Sequence, residues 1–281
     1  MQIIQKFVHT GDIAIDIKQY LLDSKIPHLV FIHGYSSSKN TWDRVTSELS
    51  NFYNITTLDL RGMGRSGRFS DKFTYDVWIN DLIILIEKLF KQKIVLVGHS
   101  LGGWLATNIT SKRPDLISKL VLVDPYTAAP DEIRNKKRRI PSADAKFRKN
   151  RSKNIKDATT PGDLISETIK LYPNASKHSI NILSRMWFDL DHILEKNRIR
   201  EKISIDKFTK IYNKINCNIL FILGSPDLGG IVSKDEKNYL ENLLPNSKFL
   251  ELLNSGHTPH IEDHLKFIDK IKQEINYLLP N

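Results

Sequence analysis

A serine stands between two glycines where an apolar run ends, in the sequence VLVGHSLGGW from Val95 to Trp104. A serine hydroxyl can attack a carbonyl carbon when a neighbouring base accepts its proton. The residues before Gly98 predict a buried strand, and those after Ser100 predict a helix. In so sharp a turn, small residues at Gly98 and Gly102 leave room for a serine with a strained backbone and an exposed hydroxyl. We therefore predict that Ser100 is a nucleophile.

The base that such a serine needs is predicted near the end of the chain, in the sequence NSGHTPHIED. His257 leads a loop after the last predicted strand, between Gly256 and Pro259. This loop can carry an imidazole over the edge of the sheet toward Ser100. His260, three residues later, begins the closing helix, and we predict a capping or surface role for it.

Two aspartates compete for the role of the acid that orients the base. Asp227 lies in the glycine-rich loop FILGSPDLGG after the penultimate strand, and such a loop lets a carboxylate reach across the site. The order Ser100, Asp227, His257 along the chain is the order expected for this arrangement. Asp124 ends the preceding strand in LVDPY and is the alternative. Asp227 is the predicted acid.

Acyl transfer also needs N–H donors for the oxyanion that forms on the attacked carbonyl. One predicted donor is the backbone N–H of Leu101, directly after the nucleophile. The other is the backbone N–H of Tyr35 in FIHGYSSS, because Gly34 allows the loop to turn toward the pocket. His33 has no acidic or histidine partners at metal-ligand spacing, so we interpret it as a structural brace and predict no metal site.

Apolar strands alternate with amphipathic helices around these residues, after an N-terminal hairpin. This alternation predicts an α/β fold with a mostly parallel sheet covered by helices on both faces. Ligands bind such sheets beyond the carboxyl ends of the strands. The predicted strands are 28–34, 54–60, 93–99, 119–125, 218–224 and 248–254, and the predicted helices are 41–49, 75–90, 101–112, 233–243 and 261–278.

The alternation stops after Pro125 and resumes at Asn218. We predict a core of residues 1–125 and 216–281, with residues 126–215 inserted after the sixth strand as a mainly helical cap. Between the nucleophile and this cap we expect a substrate pocket. Trp104 faces either the core or this pocket, and tryptophan more often lies in a core. The other predicted pocket residues, which could equally pack in the core, are Tyr126, Met186, Trp187 and Phe188.

The motifs HGYSSSKNTW, DLRGMGRSG, VGHSLGG, VDP, GSPDLGG and GHTPHIED resemble, in this order, the α/β-hydrolase fold superfamily. The resemblance is to its serine esterase and lipase members with a cap, and it covers the predicted core but not residues 126–215. It implies hydrolysis of a small-molecule ester through an acyl-enzyme formed on Ser100, without a cofactor. The same triad serves thioesterases, lactonases, carbon–carbon bond hydrolases and acyltransferases. A non-catalytic ligand-binding protein of this fold is a further alternative.

The net charge of +10 is concentrated in one segment, since residues 131–156 hold eleven Lys and Arg against three Asp and Glu. One aromatic residue, Phe147, accompanies these cations, so we predict no nucleic-acid binding. A solvated, partly helical insert fits this composition, and its charge could attract anionic substrates or make weak contact with an anionic surface. The single cysteine, Cys217, excludes an intrachain disulfide. We find no signal peptide and no apolar run of about 18 residues, and predict a cytoplasmic protein without a transmembrane segment.

Overall fold

The computed structural model of the protein describes residues 1–70, 74–133, 153–171, 177–196 and 203–276. Eight strands form one sheet in the order β1-β2-β4-β3-β5-β6-β7-β8. The strands are β1 Gln2–His9, β2 Ala14–Leu21, β3 His28–Ile32, β4 Asn54–Leu58, β5 Ile94–His99, β6 Ile117–Val123, β7 Asn218–Gly224 and β8 Lys248–Leu252.

The sheet is antiparallel at one side only. β1 pairs antiparallel with β2, and β2 pairs antiparallel with β4, whereas every later pairing, from β4 to β8, is parallel. The turn between β1 and β2 contains Gly11 at φ 117°, a conformation that L side chains rarely adopt. The carboxyl ends of the six parallel strands thus lie along one edge, where the predicted site residues follow them.

Ten α-helices flank or follow these strands in the described part of the chain. They are α1 Asp43–Leu49, α2 Tyr75–Leu89, α3 Leu101–Lys112, α4 Ile165–Leu171, α5 Lys177–Phe188, α6 His192–Lys196, α7 Ile205–Asn213, α8 Lys234–Leu243, α9 Pro259–Glu262 and α10 His264–Asn276. Residues 153–157 are also helical. Helices α4 to α7 lie between β6 and β7, within the residues predicted as an insertion.

The central strands are apolar throughout because both faces of the sheet are covered. In β5 every residue is buried. Leu96 belongs to an apolar cluster that includes residues of α2 and α3, whereas Val95 and Val97 belong to a second cluster with residues of α1 and α10. Each face therefore has its own core, and together the two cores hold β5 in place up to His99.

A buried ion-pair network stabilises the turn after β4. Lys39 Nζ lies 2.7 Å from Asp16 Oδ2 and 2.8 Å from Asp59 Oδ2, and all three side chains are buried. Asp59 also accepts hydrogen bonds from the backbone N–H groups of Lys39 and Arg65. Both charges of each pair are thus satisfied where an unpaired charge would be costly. Asp59 is a structural residue of this loop.

Candidate active site

The turn between β5 and α3 places Ser100 at the edge of the sheet. The strand ends at His99 and the helix begins at Leu101, so Ser100 alone makes the turn, at φ 51° and ψ −116°. A Cβ on Gly98 would lie 2.3 Å from the carbonyl oxygen of Gly102, and one on Gly102 would lie 2.4 Å from that of Ile32. Both positions therefore require glycine, and the partly exposed Ser100 has the strained geometry predicted for it.

His257 follows β8 and directs its imidazole toward the serine. Its Nε2 lies 3.0 Å from Ser100 Oγ, within hydrogen-bond distance. The loop around it is stabilised by Glu262, whose carboxylate accepts the backbone N–H groups of Gly256 at 2.8 Å and of Thr258 at 3.0 Å. His257 is therefore placed to accept the proton of Ser100, as the sequence predicts.

The acid beside His257 is Asp124. His257 Nδ1 lies 2.6 Å from Asp124 Oδ2, and the Asp124 side chain is completely buried. The same Oδ2 accepts the backbone N–H of Ile231 at 2.9 Å. Ser100, His257 and Asp124 thus form a continuous hydrogen-bonded chain from an accessible hydroxyl to a buried carboxylate.

The choice of Asp227 as the orienting acid was wrong. Asp227 lies on the 3₁₀ helix Pro226–Leu228, is exposed, and forms none of the hydrogen bonds that the structure shows at His257. The chain turns back at Gly229, at φ 104°, so the loop after β7 brings a backbone N–H of Ile231 to the site instead of a carboxylate. Its glycines serve close backbone packing, since a Cβ on Gly230 would lie 2.6 Å from the carbonyl oxygen of Gly224.

Asp124 reaches the imidazole because of its own backbone conformation. It directly follows β6 at φ 35°, and its N–H donates to the carbonyl of Ile222 at 2.8 Å. Aspartate tolerates positive φ better than most residues do. An aspartate at the end of a strand next to a proline was the available sequence signal, but its positive φ could not be read from the sequence.

The two predicted oxyanion donors lie on segments that meet at Ser100. Leu101 is the first residue of α3, so its N–H has no acceptor within the helix. Gly34 packs beside the nucleophile, since a Cβ there would lie 3.2 Å from Ser100 Cβ, and Tyr35 is the next residue. The assignment of the Tyr35 and Leu101 N–H groups as donors stays a prediction.

Two further histidines next to the site are buried and neutral. Burial and the neighbouring His257 lower the pKa of His260 to about 3, and its ring packs against that of Trp42 with centroids 4.3 Å apart. His260 is therefore not the surface residue that its position predicted. His33 Nδ1–H donates to the carbonyl of Gly34 at 2.7 Å, while its Nε2 accepts the N–H of Leu60 at 3.0 Å. His33 is the predicted structural brace.

The burial of His260 predicts an acid-sensitive fold. The pKa of His260 is about 3 in the folded protein and 6.5 in the unfolded chain. Between pH 3 and pH 6.5, this histidine is therefore protonated in the unfolded chain but neutral in the folded protein. The free energy of unfolding is therefore highest above pH 6.5, as far as His260 determines it, and declines as the pH falls toward 3. At pH 4 we expect a loss of about 3 kcal/mol from this residue, or a fall in Tm of about 5 °C or more. Thermal unfolding at pH 7 and pH 4 measures it. His260→Gln should reduce the dependence but not abolish it, because burial also lowers the pKa of His33; an unchanged slope in the variant would contradict this origin.

Of the predicted pocket residues, Trp104 belongs to the core. It is fully buried in the same apolar cluster as Leu96, with its ring 6.4 Å from that of Tyr126. The substrate-facing alternative for Trp104 was therefore wrong. Tyr126 is half-buried, and its backbone N–H donates to the carbonyl of Ser100 at 2.9 Å.

The remaining predicted pocket residues are on α5, which approaches the core. Met186 is buried, and its Sδ accepts a hydrogen bond from Ser37 Oγ at 3.7 Å, two residues after Tyr35. Trp187 is buried, whereas the half-buried Phe188 lines a cleft of about 420 Å³ together with Phe69. Contact of these three residues with a substrate stays a prediction.

Residues 134–152, which are most of the basic segment 131–156, lie outside the described residues. The predicted contact of this segment with an anionic surface therefore stays a prediction. Within the described ranges, no helix is both long enough and apolar enough to cross a membrane.

Comparison with known proteins supports the fold. The chain is 27% identical to a Haemophilus influenzae protein provisionally named an esterase/lipase. The alignment spans 256 residues, which are 89% of this chain and 83% of the relative. The chain is also 27% identical over 271 residues to an sn-1-specific diacylglycerol lipase of Danio rerio, covering 90% and 78%. The crystal structure of an N-formylmaleamic acid deformylase of Pseudomonas putida matches with a TM-score of 0.78 at 18% identity, covering 95% of this chain and 100% of that one. The family model of the alpha/beta hydrolase fold matches residues 27–264, and the chain belongs to this family.

Proposed function

We propose that this protein is a serine hydrolase that cleaves carboxylic esters through an acyl-enzyme intermediate. The observation that carries this proposal is the hydrogen-bonded chain of Ser100, His257 and Asp124, with distances of 3.0 Å and 2.6 Å. A nucleophile, a base and an orienting acid in contact are the groups that acyl transfer requires. Relatives named as an esterase/lipase and a diacylglycerol lipase support an ester as the substrate.

In the first half of the reaction, Ser100 Oγ attacks the carbonyl carbon of the ester while His257 Nε2 accepts its proton. The carbonyl π electrons move onto the oxygen, which the predicted N–H donors of Tyr35 and Leu101 stabilise. The C–O bond to the leaving group then breaks, and His257 protonates the departing alcohol. Ser100 is left esterified with the acyl group.

In the second half, water enters the position of the alcohol. His257 accepts a proton from this water, the hydroxyl oxygen attacks the acyl carbon, and the proton returns to Ser100 Oγ as the acid is released. Asp124 remains ionised throughout, holds the proton of His257 on Nδ1, and stabilises the imidazolium. Both halves use only residues of this chain and water.

The pocket is proposed to lie between Ser100 and α5, where Met186 approaches the Tyr35 loop. The same triad can attack esters, thioesters and lactones. A panel of 4-nitrophenyl esters of increasing chain length, matched thioesters and lactones, compared by kcat/KM, identifies the bond that is cleaved. A preference for thioesters or lactones would replace the ester assignment without affecting the role of Ser100.

Labelling with a fluorophosphonate tests the nucleophile directly. We expect one covalent adduct on Ser100 in the wild type and none in Ser100→Ala, whose esterase activity should fall by about 10⁵-fold or more. Intact-mass spectrometry and peptide mapping locate the adduct. Ser118→Ala is the matched control, because Ser118 Oγ donates to the carbonyl of Ile94 at the opposite end of the sheet. Absence of an adduct on wild-type Ser100 would refute the serine-hydrolase assignment.

A further inference from the structure

His99, the residue before the nucleophile, touches the two loops that complete the site. Its Nε2 lies 2.8 Å from the backbone carbonyl oxygen of His257. A carbonyl oxygen only accepts hydrogen bonds, so Nε2 of His99 carries a proton and donates it. The backbone of the proposed base is therefore tied to the residue that precedes the nucleophile.

The other side of the His99 ring faces the loop that carries the predicted oxyanion donor. A Cβ on Gly34 would lie 2.9 Å from His99 Nδ1 and 3.2 Å from its Cε1. His99 Nδ1 is buried and has no hydrogen-bond partner among the residues that the structure describes, which agrees with a neutral ring protonated on Nε2. The imidazole of His99 thus spans the distance from the Gly34–Tyr35 loop to the His257 loop.

The surroundings hold this ring in place and keep it neutral. His99 is buried, its ring centroid lies 4.8 Å from that of His257 and 4.5 Å from that of His260, and Trp42 meets it edge to face. Burial first, and then the neighbouring histidines, lower its pKa well below the usual value. A neutral, immobile ring is suited to setting a distance between two backbones.

We propose that His99 is a positioning residue for acyl transfer, which sets the spacing between the His257 base and the predicted oxyanion loop. The inference rests on the proposed function. His99 does not touch the reacting atoms; it acts through the carbonyl of His257 on one side and through Gly34 on the other. Displacement of a catalytic group by about 1 Å can cost 100-fold in rate.

Three variants separate the hydrogen bond from the volume of the ring. His99→Leu removes the donor, and we expect kcat to fall about 100-fold while KM changes less than about threefold. The amide nitrogen of glutamine is the same number of bonds from Cβ as Nε2 of histidine, so His99→Gln should recover kcat to within about tenfold of the wild type. His99→Asn is polar but too short, and it should behave like His99→Leu.

Fluorophosphonate labelling of wild-type Ser100 is confirmed first, because its absence would refute the proposed function itself. The labelling rates of the variants should follow their kcat values, and the low-field proton resonance of His257 Nδ1–H should move in His99→Leu. His28→Leu is the control for lost stability, since His28 is a half-buried histidine at the other end of β3 from the site, with its Nε2 2.7 Å from Thr56 Oγ1. Should His99→Leu lose no more kcat than His28→Leu, or should glutamine and asparagine be equivalent, the positioning role is overturned.

Discussion

Replacement of Asp124 by asparagine should lower kcat by about 10³- to 10⁴-fold, the effect known for the aspartate of a catalytic triad. The carboxylate accepts the proton of His257 Nδ1 at 2.6 Å and leaves Nε2 free to accept a proton from Ser100. An asparagine amide can present its N–H to Nδ1 and so stabilise the other tautomer, with the proton on Nε2. His257 would then be unable to act as a base. Esterase kinetics at neutral pH measure the loss.

Asp227→Asn is the matched control, because Asp227 is the same residue type in the loop that also provides the N–H of Ile231. Its kcat should stay within about twofold of the wild type, since Asp227 is exposed and outside the hydrogen-bonded chain. The double variant should be no slower than Asp124→Asn alone. A large loss in Asp227→Asn with little loss in Asp124→Asn would show that the loop after β7 supplies the acid in solution.

Substitution of Gly102 by alanine should destabilise the protein by at least about 3 kcal/mol. Its new Cβ would lie 2.4 Å from the carbonyl oxygen of Ile32 and 2.7 Å from that of His33, and neither is a flexible side-chain end. The helix α3 or the end of β3 must therefore shift. Since His33 precedes Gly34, the shift reaches the predicted oxyanion loop, and kcat should fall together with Tm.

Denaturant unfolding measures this loss, with Gly162→Ala as the control. A Cβ on Gly162 would lie 3.4 Å from Thr160 Oγ1, an ordinary contact, so this variant should unfold within about 0.5 kcal/mol of the wild type. Equal stability of the two variants would mean that the tight approach of α3 to β3 is not maintained in solution.

Local patterns were sufficient to predict most of the fold. The range predicted for α3 was correct at both ends, and its start is indicated by the apolar strand and the two glycines around Ser100. β7 was likewise predicted with both ends correct. β3 and β4 end two residues before their predicted ends, because the residues that follow leave the sheet to form the loops of the site.

The position of a site residue was predictable where the sequence around it allows the chain only one course. Ser100 is confined by its glycines, and His257 by the short loop after β8. The acid was different, since both β6 and β7 end at the same edge of the sheet with an aspartate nearby. The choice between Asp124 and Asp227 depends on the positive φ of Asp124 and on the turn at Gly229, and both conformations are determined by packing between segments far apart in the sequence. The core position of Trp104 likewise became evident only with the surrounding strands in place.

The backbone of Tyr126 has a consequence for efforts to alter substrate preference. Tyr126 is two residues after Asp124, and its N–H donates to the carbonyl of Ser100 at 2.9 Å. The chain that follows Asp124 is thus hydrogen-bonded to the backbone of Ser100. A proline at position 126 would remove this hydrogen bond and should alter turnover for every substrate alike. A library aimed at selectivity is better directed to α5, where we propose the substrate pocket.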